Sequence, residues 1–193
     1  ISSGVVYKDV LFEQLPFIPK ENFILEPEMR DVGAAVGLLA AIMEKMYSSE
    51  PMIILWSDHL VKNEDLFREV LKTAEKILEK DHNKIVFIGQ SSRFASQNLG
   101  WIEYGKEVIT KEHIALHAFA DFQYRPDKAT AKRYFESGHH AWNLGYFVKT
   151  PKFLWDQFKR FAPNLYEGIS EIAKTWHTAT FNDTLARIYP TLE

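Results

Sequence analysis

The chain has 193 residues, 46% of them hydrophobic and 25% charged, a composition typical of a soluble globular protein with a sizeable core. Its formal net charge is -3, with 23 basic and 26 acidic residues, so no basic field favours a nucleic-acid or membrane partner. No cysteine is present, which excludes disulfides and thiolate metal sites and fits the reducing cytoplasm.

The first half of the chain alternates between helix-like and strand-like segments. Residues 31–48 predict a helix that is apolar nearly all round and therefore buried. Residues 52–56, MIILW, form a short apolar run typical of a strand covered on both faces. Residues 63–80 predict an amphipathic helix with Asn63 as its N-cap, and residues 84–89 predict a second buried strand.

The second half of the chain continues this alternation. Residues 113–122 alternate as in a strand, residues 127–138 predict a short helix, and residues 142–149 predict a further strand. Residues 150–163 predict a helix that stops at a proline, and the chain reads as helical from residue 164 onward. No apolar run approaches the roughly 20 residues that a membrane-spanning helix needs.

This alternation predicts one α/β domain over residues 1–193, with a mostly parallel sheet and helices on both faces. In such sheets, ligands bind beyond the carboxyl ends of the strands. Asp58 follows MIILW at such an end, where a carboxylate can hold Mg²⁺ beside the phosphates of a ligand. Alternatively, Asp58 caps the helix that begins near residue 63 or bonds a local backbone N–H.

Three further segments carry candidate binding residues. The loop of residues 26–31 is interrupted by a proline and precedes a helix N-terminus, which suits binding of a phosphate or a base edge. Alternatively, it is an ordinary connection into the helix, with Asp31 as N-cap. Arg125 follows a strand and can grip phosphate bidentately, or lies on a surface turn. Residues 137–147, SGHHAWNLGYF, combine aromatic and amide groups that suit sugar hydroxyls, although a turn and a strand explain them as well.

Four segments follow one another in a fixed order: QLPFIPKENFILEPEMRDVGAAVGLLAA, IILWSDHLV, SQNLGWIEYG and FQYRPDKATAKRYFESGHHAWNLGYFVKTPKFL. The series resembles the mannose-1-phosphate guanylyltransferases, sugar nucleotidyltransferases that make GDP-mannose, over about residues 10–175. That family carries an EP-x-x-RNTAPA loop, a strand ending in PADH, an ETGYGYIE turn, an EKPD segment and an SG-x-x-WNSGMF stretch. The last two of these five motifs both correspond to the fourth segment. Five motifs in the same order, at similar spacing, are far more specific than any one of them.

The resemblance implies a Rossmann-like nucleotide-diphospho-sugar transferase fold, and it implies roles for the residues that match the motifs. The loop that meets the guanine and ribose supplies Glu26, Pro27, Arg30 and Asp31. Asp58 matches the aspartate that binds the catalytic Mg²⁺, and Arg125 stands where the family has a lysine that neutralises phosphate charge. The residues that approach or contact the hexose are Gly100, Asn143 and Gly145.

The implied reaction is cytoplasmic nucleotidyl transfer without a covalent intermediate. An oxygen of mannose-1-phosphate, or of a related hexose-1-phosphate, attacks the α-phosphorus of GTP in line and displaces pyrophosphate. The protein supplies positioning, and the metal and basic groups stabilise the developing charge. Self-association through an exposed strand edge is a further expectation.

The chain departs from the family pattern at several points. It carries no G-x-G-x-R-x-x-P-x-S signature, and the SIDYAVME segment with a second metal-side aspartate would lie past its end, so we expect an inactive central fragment of a longer enzyme. Tyr124-Arg125 replace Glu-Lys, Leu144 replaces a serine, and Trp56-Ser57 replace Pro-Ala. The alternative function is a diverged, non-catalytic domain that binds a nucleotide sugar or regulates a partner.

Overall fold

The computed structural model describes residues 1–111 and 114–192, which form two compact units. The first unit consists of residues 1–50 and 150–192, and the second unit consists of the described residues of Pro51–Lys149. The prediction of one domain over the whole chain stays a prediction. No helix in the described residues combines the length and the apolar character that crossing a bilayer requires.

The elements alternate along the chain as an α/β protein requires. The α-helices are α1 (Lys8–Gln14), α2 (Val32–Tyr47), α3 (Glu64–Lys80), α4 (Lys128–Ser137), α5 (Pro151–Phe161), α6 (Pro163–Lys174) and α7 (Phe181–Ile188). The strands are β1 (Ser2–Gly4), β2 (Ile24–Glu26), β3 (Met52–Ile53), β4 (Val86–Ser91), β5 (Gly100–Lys111), β6 (Ile114–Gln123) and β7 (His140–Lys149).

The first unit is built around helix α2, which packs against α5 and α6. The helix is buried because small and apolar residues surround its axis, and Leu38 and Ile42 are completely buried. Gly37 lets the neighbouring helices come close, since a Cβ at this position would lie 2.7 Å from Cδ1 of Ile169 and 3.1 Å from the Phe158 ring. Strands β1 and β2 pair in parallel beside this helical core.

The second unit is a five-stranded sheet with strand order β3-β7-β5-β6, in which β4 also pairs with β7. Strand β7 is therefore the centre of the sheet and contacts three other strands. The amphipathic helix α3 covers this strand: Ala74 and Leu78 pack against Val148, and all three side chains are buried. Asn63 caps the helix by accepting a hydrogen bond from the Leu66 backbone N–H at 3.1 Å.

Most of the predicted elements are confirmed. The helices predicted over residues 31–48, 63–80, 127–138 and 150–163 correspond to α2, α3, α4 and α5, and the segment from residue 164 is helical. The strand predicted over residues 52–56 is shorter, because only Met52 and Ile53 pair with β7. Strand β6 matches the prediction over residues 114–122, while residue 113 lies outside the described residues.

The α/β class is confirmed, but the described strands differ from the expected direction of pairing. Only β1 and β2 pair in parallel, whereas β7 runs antiparallel to β3, β4 and β5, and β5 runs antiparallel to β6. The long strand β5 is absent from the sequence prediction. Only two residues separate β5 from β6 in the sequence, too few for the helical crossover that a parallel pair needs.

We expect Leu38→Ala to reduce the free energy of unfolding by about 2–5 kcal/mol, because the side chain is completely buried and its removal leaves a cavity in the core around α2. Leu60→Ala is the matched control, since Leu60 is 86% exposed, and it should change stability by about 0.5 kcal/mol or less. Urea unfolding monitored by circular dichroism measures both variants. Equal losses would show that α2 is not the core of the unit.

Candidate functional site

Glu26 lies at the end of β2, in the first unit, and both of its carboxylate oxygens accept hydrogen bonds. Ser2 Oγ donates to Oε1 at 2.7 Å, and the Tyr189 hydroxyl donates to Oε2 at 2.6 Å. Tyr189 is completely buried. This carboxylate therefore links the strand pair β1–β2 to the C-terminal part of the unit.

Burial raises the pKa of Tyr189 far above its usual range, and the hydrogen bond to Glu26 and the charge of that carboxylate raise it further. The Arg30 guanidinium acts in the opposite direction, which places a positive charge near this phenol. The carboxylate and the phenol thus form a hydrogen-bonded pair at the start of the loop of residues 26–31, and the Arg30 guanidinium acts on the phenol through its charge. The phenol stays neutral and donates to Glu26 at physiological pH.

Arg30 stands at the edge of a cavity of about 600 Å³ in the first unit. One guanidinium nitrogen, Nη2, donates to Glu28 at 3.2 Å, while the buried Nε has no hydrogen-bond partner among the described residues. The cavity lies at the N-terminus of α2, where the Ala34 backbone N–H donates to the Asp31 carbonyl oxygen at 3.0 Å. Its lining consists of Met29, Arg30, Asp31, Gly33, Ala34, Leu165 and Leu192.

The other residues of this loop frame the cavity. Pro27 is half-buried directly after β2, and Asp31 is exposed at the residue before α2. Asp31 has the extended backbone of an N-cap, but its side chain makes no capping hydrogen bond. The Asp31 carboxylate is therefore not used for capping, although capping is the usual role of an aspartate at this position.

Asp58 lies in the second unit, in a turn after the short strand β3, and its side chain is 84% exposed. Its Oδ1 lies 3.9 Å from Nε2 of His59. The other ring nitrogen of His59, Nδ1, is 2.7 Å from the hydroxyl of the buried Tyr146 on β7. Asp58 neither caps α3, since Asn63 does so, nor forms a hydrogen bond within the described residues.

The predicted sugar-facing residues lie on β5 and β7. Gly100 pairs with Asn143 across the two strands, and a Cβ at Gly100 would lie 2.8 Å from the Phe122 ring. The Asn143 side chain accepts a hydrogen bond from the Gly145 backbone N–H at 3.0 Å. Gly145 has a φ of +82°, and a Cβ there would lie 2.6 Å from Nε1 of Trp56, so the indole packs directly on the glycine backbone.

Arg125 lies on the turn between β6 and α4, with a positive φ of 43°. Its guanidinium lies over the ring of the neighbouring Tyr124, 5.0 Å from the ring centroid. Asp127 caps α4 by accepting hydrogen bonds from the backbone N–H groups of Ala129 and Thr130. The guanidinium is exposed, and no ion pair in the described chain joins it to Asp58.

The second unit therefore brings some of the predicted residues together. The pairing of β3 with β7 sets the segment of Asp58 beside Gly145, and the pairing of β5 with β7 sets Gly100 beside Asn143. The structure records no contact of Arg125 with these residues. Within the described part of the chain, no group of three or more His, Asp or Glu residues is placed to hold a metal ion.

Sequence reasoning missed three residues of this cluster: Trp56, His59 as the partner of a phenol, and Tyr146. The signal was present in the segments WSDH and WNLGYF, which both carry polar or aromatic residues around a candidate site residue. Their contacts join segments far apart in the chain, so spacing within either segment could not reveal them.

Comparisons with known proteins agree with these observations. A family model described as nucleotidyl transferase matches residues 7–184. The mannose-1-phosphate guanylyltransferase 2 of Escherichia coli O157:H7 is 28% identical over 176 residues, covering 88% of this chain and 36% of that protein. The mannose-1-phosphate guanylyltransferase RfbM of Salmonella typhimurium is 30% identical over 166 residues, covering 84% of this chain and 33% of that protein.

Solved structures show the same fold. A Thermus thermophilus protein described as a mannose-1-phosphate geranyltransferase superposes with a TM-score of 0.79 at 24% identity, covering 99% of this chain and 51% of its own. A Helicobacter pylori protein described as a mannose-6-phosphate isomerase has a TM-score of 0.74 at 22% identity, covering 91% of this chain and 64% of its own. The chain spans about a third of the length of the curated relatives it matches.

We expect Gly145→Ala to destabilise the second unit more than Gly138→Ala does. Both glycines have a positive φ, which costs a residue with a side chain about 1–2 kcal/mol, but only Gly145 also has Trp56 in the way. Nothing lies within 4 Å of a Cβ at Gly138, so this variant measures the backbone strain alone. Urea unfolding of the two variants gives the comparison.

The double variant Gly145→Ala/Trp56→Ala separates the two contributions. Relative to Trp56→Ala alone, the alanine at 145 should then cost about as much as it does at 138. If Gly145→Ala costs no more than Gly138→Ala in the wild-type background, the indole does not pack on the glycine as described.

The raised pKa of Tyr189 predicts a loss of stability at alkaline pH. Because the folded pKa lies above the unfolded value of about 10, the neutral phenol stabilises the fold fully below about pH 10, and this contribution is lost as the pH rises further. Tyr189→Phe should remove that part of the alkaline loss. Tyr7→Phe, the same change at an exposed tyrosine, should leave the pH dependence of unfolding as in the wild type.

Proposed function

The chain belongs to the nucleotidyl transferase family, and from that premise we propose that its parent protein is a mannose-1-phosphate guanylyltransferase. It would transfer GMP from GTP to mannose-1-phosphate, or to a related hexose-1-phosphate, giving a GDP-sugar and pyrophosphate. The observation that supports this proposal is that the segment around Asp58 packs on β7, where Trp56 lies on Gly145 and His59 lies 2.7 Å from the Tyr146 hydroxyl. The relatives named above are guanylyltransferases along the same stretch of sequence.

The loop of residues 26–31 is the proposed contact for the nucleotide. The cavity beside it has about 600 Å³, a volume within the range of small-molecule sites. The Arg30 side chain is 31% exposed at the edge of this cavity, and its guanidinium offers donors to an acceptor on a bound base or ribose. Asp31 offers a free carboxylate at the same edge, and Glu26 and Pro27 hold the loop where the strand ends.

The residues around Asp58 fit a magnesium ion held mainly by the phosphates of a nucleotide. Mg²⁺ is commonly bound by one or two carboxylates, with substrate phosphates and water as the other ligands. Asp58 offers one exposed carboxylate, and the described part of the chain adds no further acidic cluster. When bound, such an ion neutralises charge on the phosphates.

The remaining contributions come from orientation by this chain's own residues. The proposed sugar-facing residue is Asn143, whose side chain is held by the Gly145 backbone N–H and which lies opposite Gly100 on β5. Arg125 can bind a phosphate with two parallel N–H donors, which a lysine cannot do. The sugar-phosphate oxygen then forms its bond to the α-phosphorus of GTP as the bond to pyrophosphate breaks, and proximity supplies much of the rate.

Asp58→Asn should lower turnover by at least about 100-fold while moving the melting temperature by about 2 °C or less, because the side chain is exposed and only its charge is removed. Asp183→Asn, an exposed aspartate on α7, is the matched control and should leave both quantities unchanged. The assay follows pyrophosphate release by the full-length protein with GTP, mannose-1-phosphate and Mg²⁺. Thermal unfolding is measured on the same samples.

Two outcomes would count against the enzyme. Equal losses of turnover and stability would make Asp58 a structural residue. No turnover by the wild type with any hexose-1-phosphate and nucleoside triphosphate would favour the second candidate, a diverged domain that binds a nucleotide sugar without transferring it. The lack of a described carboxylate partner for Asp58 is the observation that favours this alternative.

A further inference from the structure

Tyr146 makes a contact with His59 that the assigned roles do not explain. Its hydroxyl lies 2.7 Å from His59 Nδ1, and the two rings meet edge to face with centroids 5.1 Å apart. Tyr146 is only 5% exposed, and Phe67 of α3 packs against its ring at 5.3 Å. The phenol is thus fixed by packing, and the imidazole is fixed by the phenol.

This hydrogen bond decides which nitrogen of a neutral His59 carries the proton. A neutral imidazole has one donor and one acceptor nitrogen. If Nδ1 donated to the phenol, the bare lone pair of Nε2 would face the Asp58 carboxylate at 3.9 Å, which is repulsive. If the phenol donates to Nδ1, Nε2 carries its proton toward Asp58, and the contact is attractive.

The phenol keeps the proton that this arrangement needs. A tyrosine hydroxyl keeps its proton throughout the neutral range, because its ordinary pKa is about 10, and the contacts with Phe67 and His59 hold this hydroxyl in position as a donor. The distance of 3.9 Å is longer than a hydrogen bond, so His59 acts on Asp58 through the field of an oriented N–H. Without that field, an aspartate that is 84% exposed has little to favour one side-chain rotamer.

We propose that Tyr146 is a positioning residue: by donating to His59 Nδ1, it holds the imidazole as the Nε2–H tautomer and thereby orients the Asp58 carboxylate at the end of β3. The significance of this orientation for metal binding rests on the proposed function, whereas the tautomer itself does not. The family motif WNSGMF has methionine at this position, which can donate no hydrogen bond. The hydrogen bond from Tyr146 to His59 is therefore a feature in which this chain departs from the family motif.

The tautomer can be measured directly on the 193-residue chain. Side-chain ¹⁵N NMR at about pH 8, where histidines are mostly neutral, distinguishes Nε2–H from Nδ1–H imidazoles. We expect His59 to be wholly the Nε2–H form in the wild type and to show a measurable share of the Nδ1–H form in Tyr146→Phe, because a neutral histidine without a fixed partner populates both. Tyr124→Phe, at an exposed tyrosine of the same unit, should leave the His59 signals unchanged. An Nδ1–H tautomer in the wild type overturns the proposal without any variant.

The effect on Asp58 needs a second readout, because a structural role alone could also change activity. Binding of Mn²⁺ with GTP to the full-length protein, followed by electron paramagnetic resonance, should weaken up to about 10-fold in Tyr146→Phe, with the KM for the hexose-1-phosphate unchanged. Unchanged Mn²⁺ affinity together with a changed tautomer would overturn the link to Asp58. If the wild type shows the expected tautomer but no nucleotidyl transfer, the proposed function fails while the role of Tyr146 in fixing His59 stands.

Discussion

The pairing of β7 with three other strands is the constraint on which the second unit depends. Its register with β5 sets Gly100 opposite Asn143, and its pairing with β3 brings the following segment close enough for Trp56 to pack on Gly145. Because side chains alternate along a strand, a slip of one residue would turn Asn143 to the opposite face of the sheet. Site geometry and sheet geometry are therefore fixed by the same hydrogen bonds.

In the first unit, a polar loop, residues 26–31, lies at the edge of the helical core. The carboxylate of Glu26 accepts hydrogen bonds from Ser2 and from the buried Tyr189. A negative charge at the edge of the core therefore has hydrogen-bond partners within the unit. On the cavity side, Arg30 pairs only with Glu28, its Nε has no partner among the described residues, and the Asp31 side chain makes no capping hydrogen bond.

Local signals account for what the sequence predicts well. Asn63 and Asp127 cap helices through hydrogen bonds to backbone groups a few residues away, so the boundaries of α3 and α4 follow from short stretches of sequence. Strand partners are not local, and neither the antiparallel direction of β7 nor the β5–β6 hairpin is encoded in alternation alone. The contact of Trp56 with Gly145 also joins segments far apart in the chain. The motifs therefore identify candidate residues of the cluster but do not predict which of them contact one another.

The departures from the family pattern are physically connected, which bears on whether the site has been lost or altered. Trp56 packs on the backbone of Gly145, and the next residue, Tyr146, hydrogen-bonds to His59 from a buried position. Random loss of a site removes contacts, whereas Trp56 and Tyr146 each make a close contact in the segment around Asp58. A buried phenol without a partner would cost about 1–3 kcal/mol, so Tyr146 and His59 are mutually required. If Asp58 is the proposed metal ligand, these contacts favour an altered site over one that has ceased to bind.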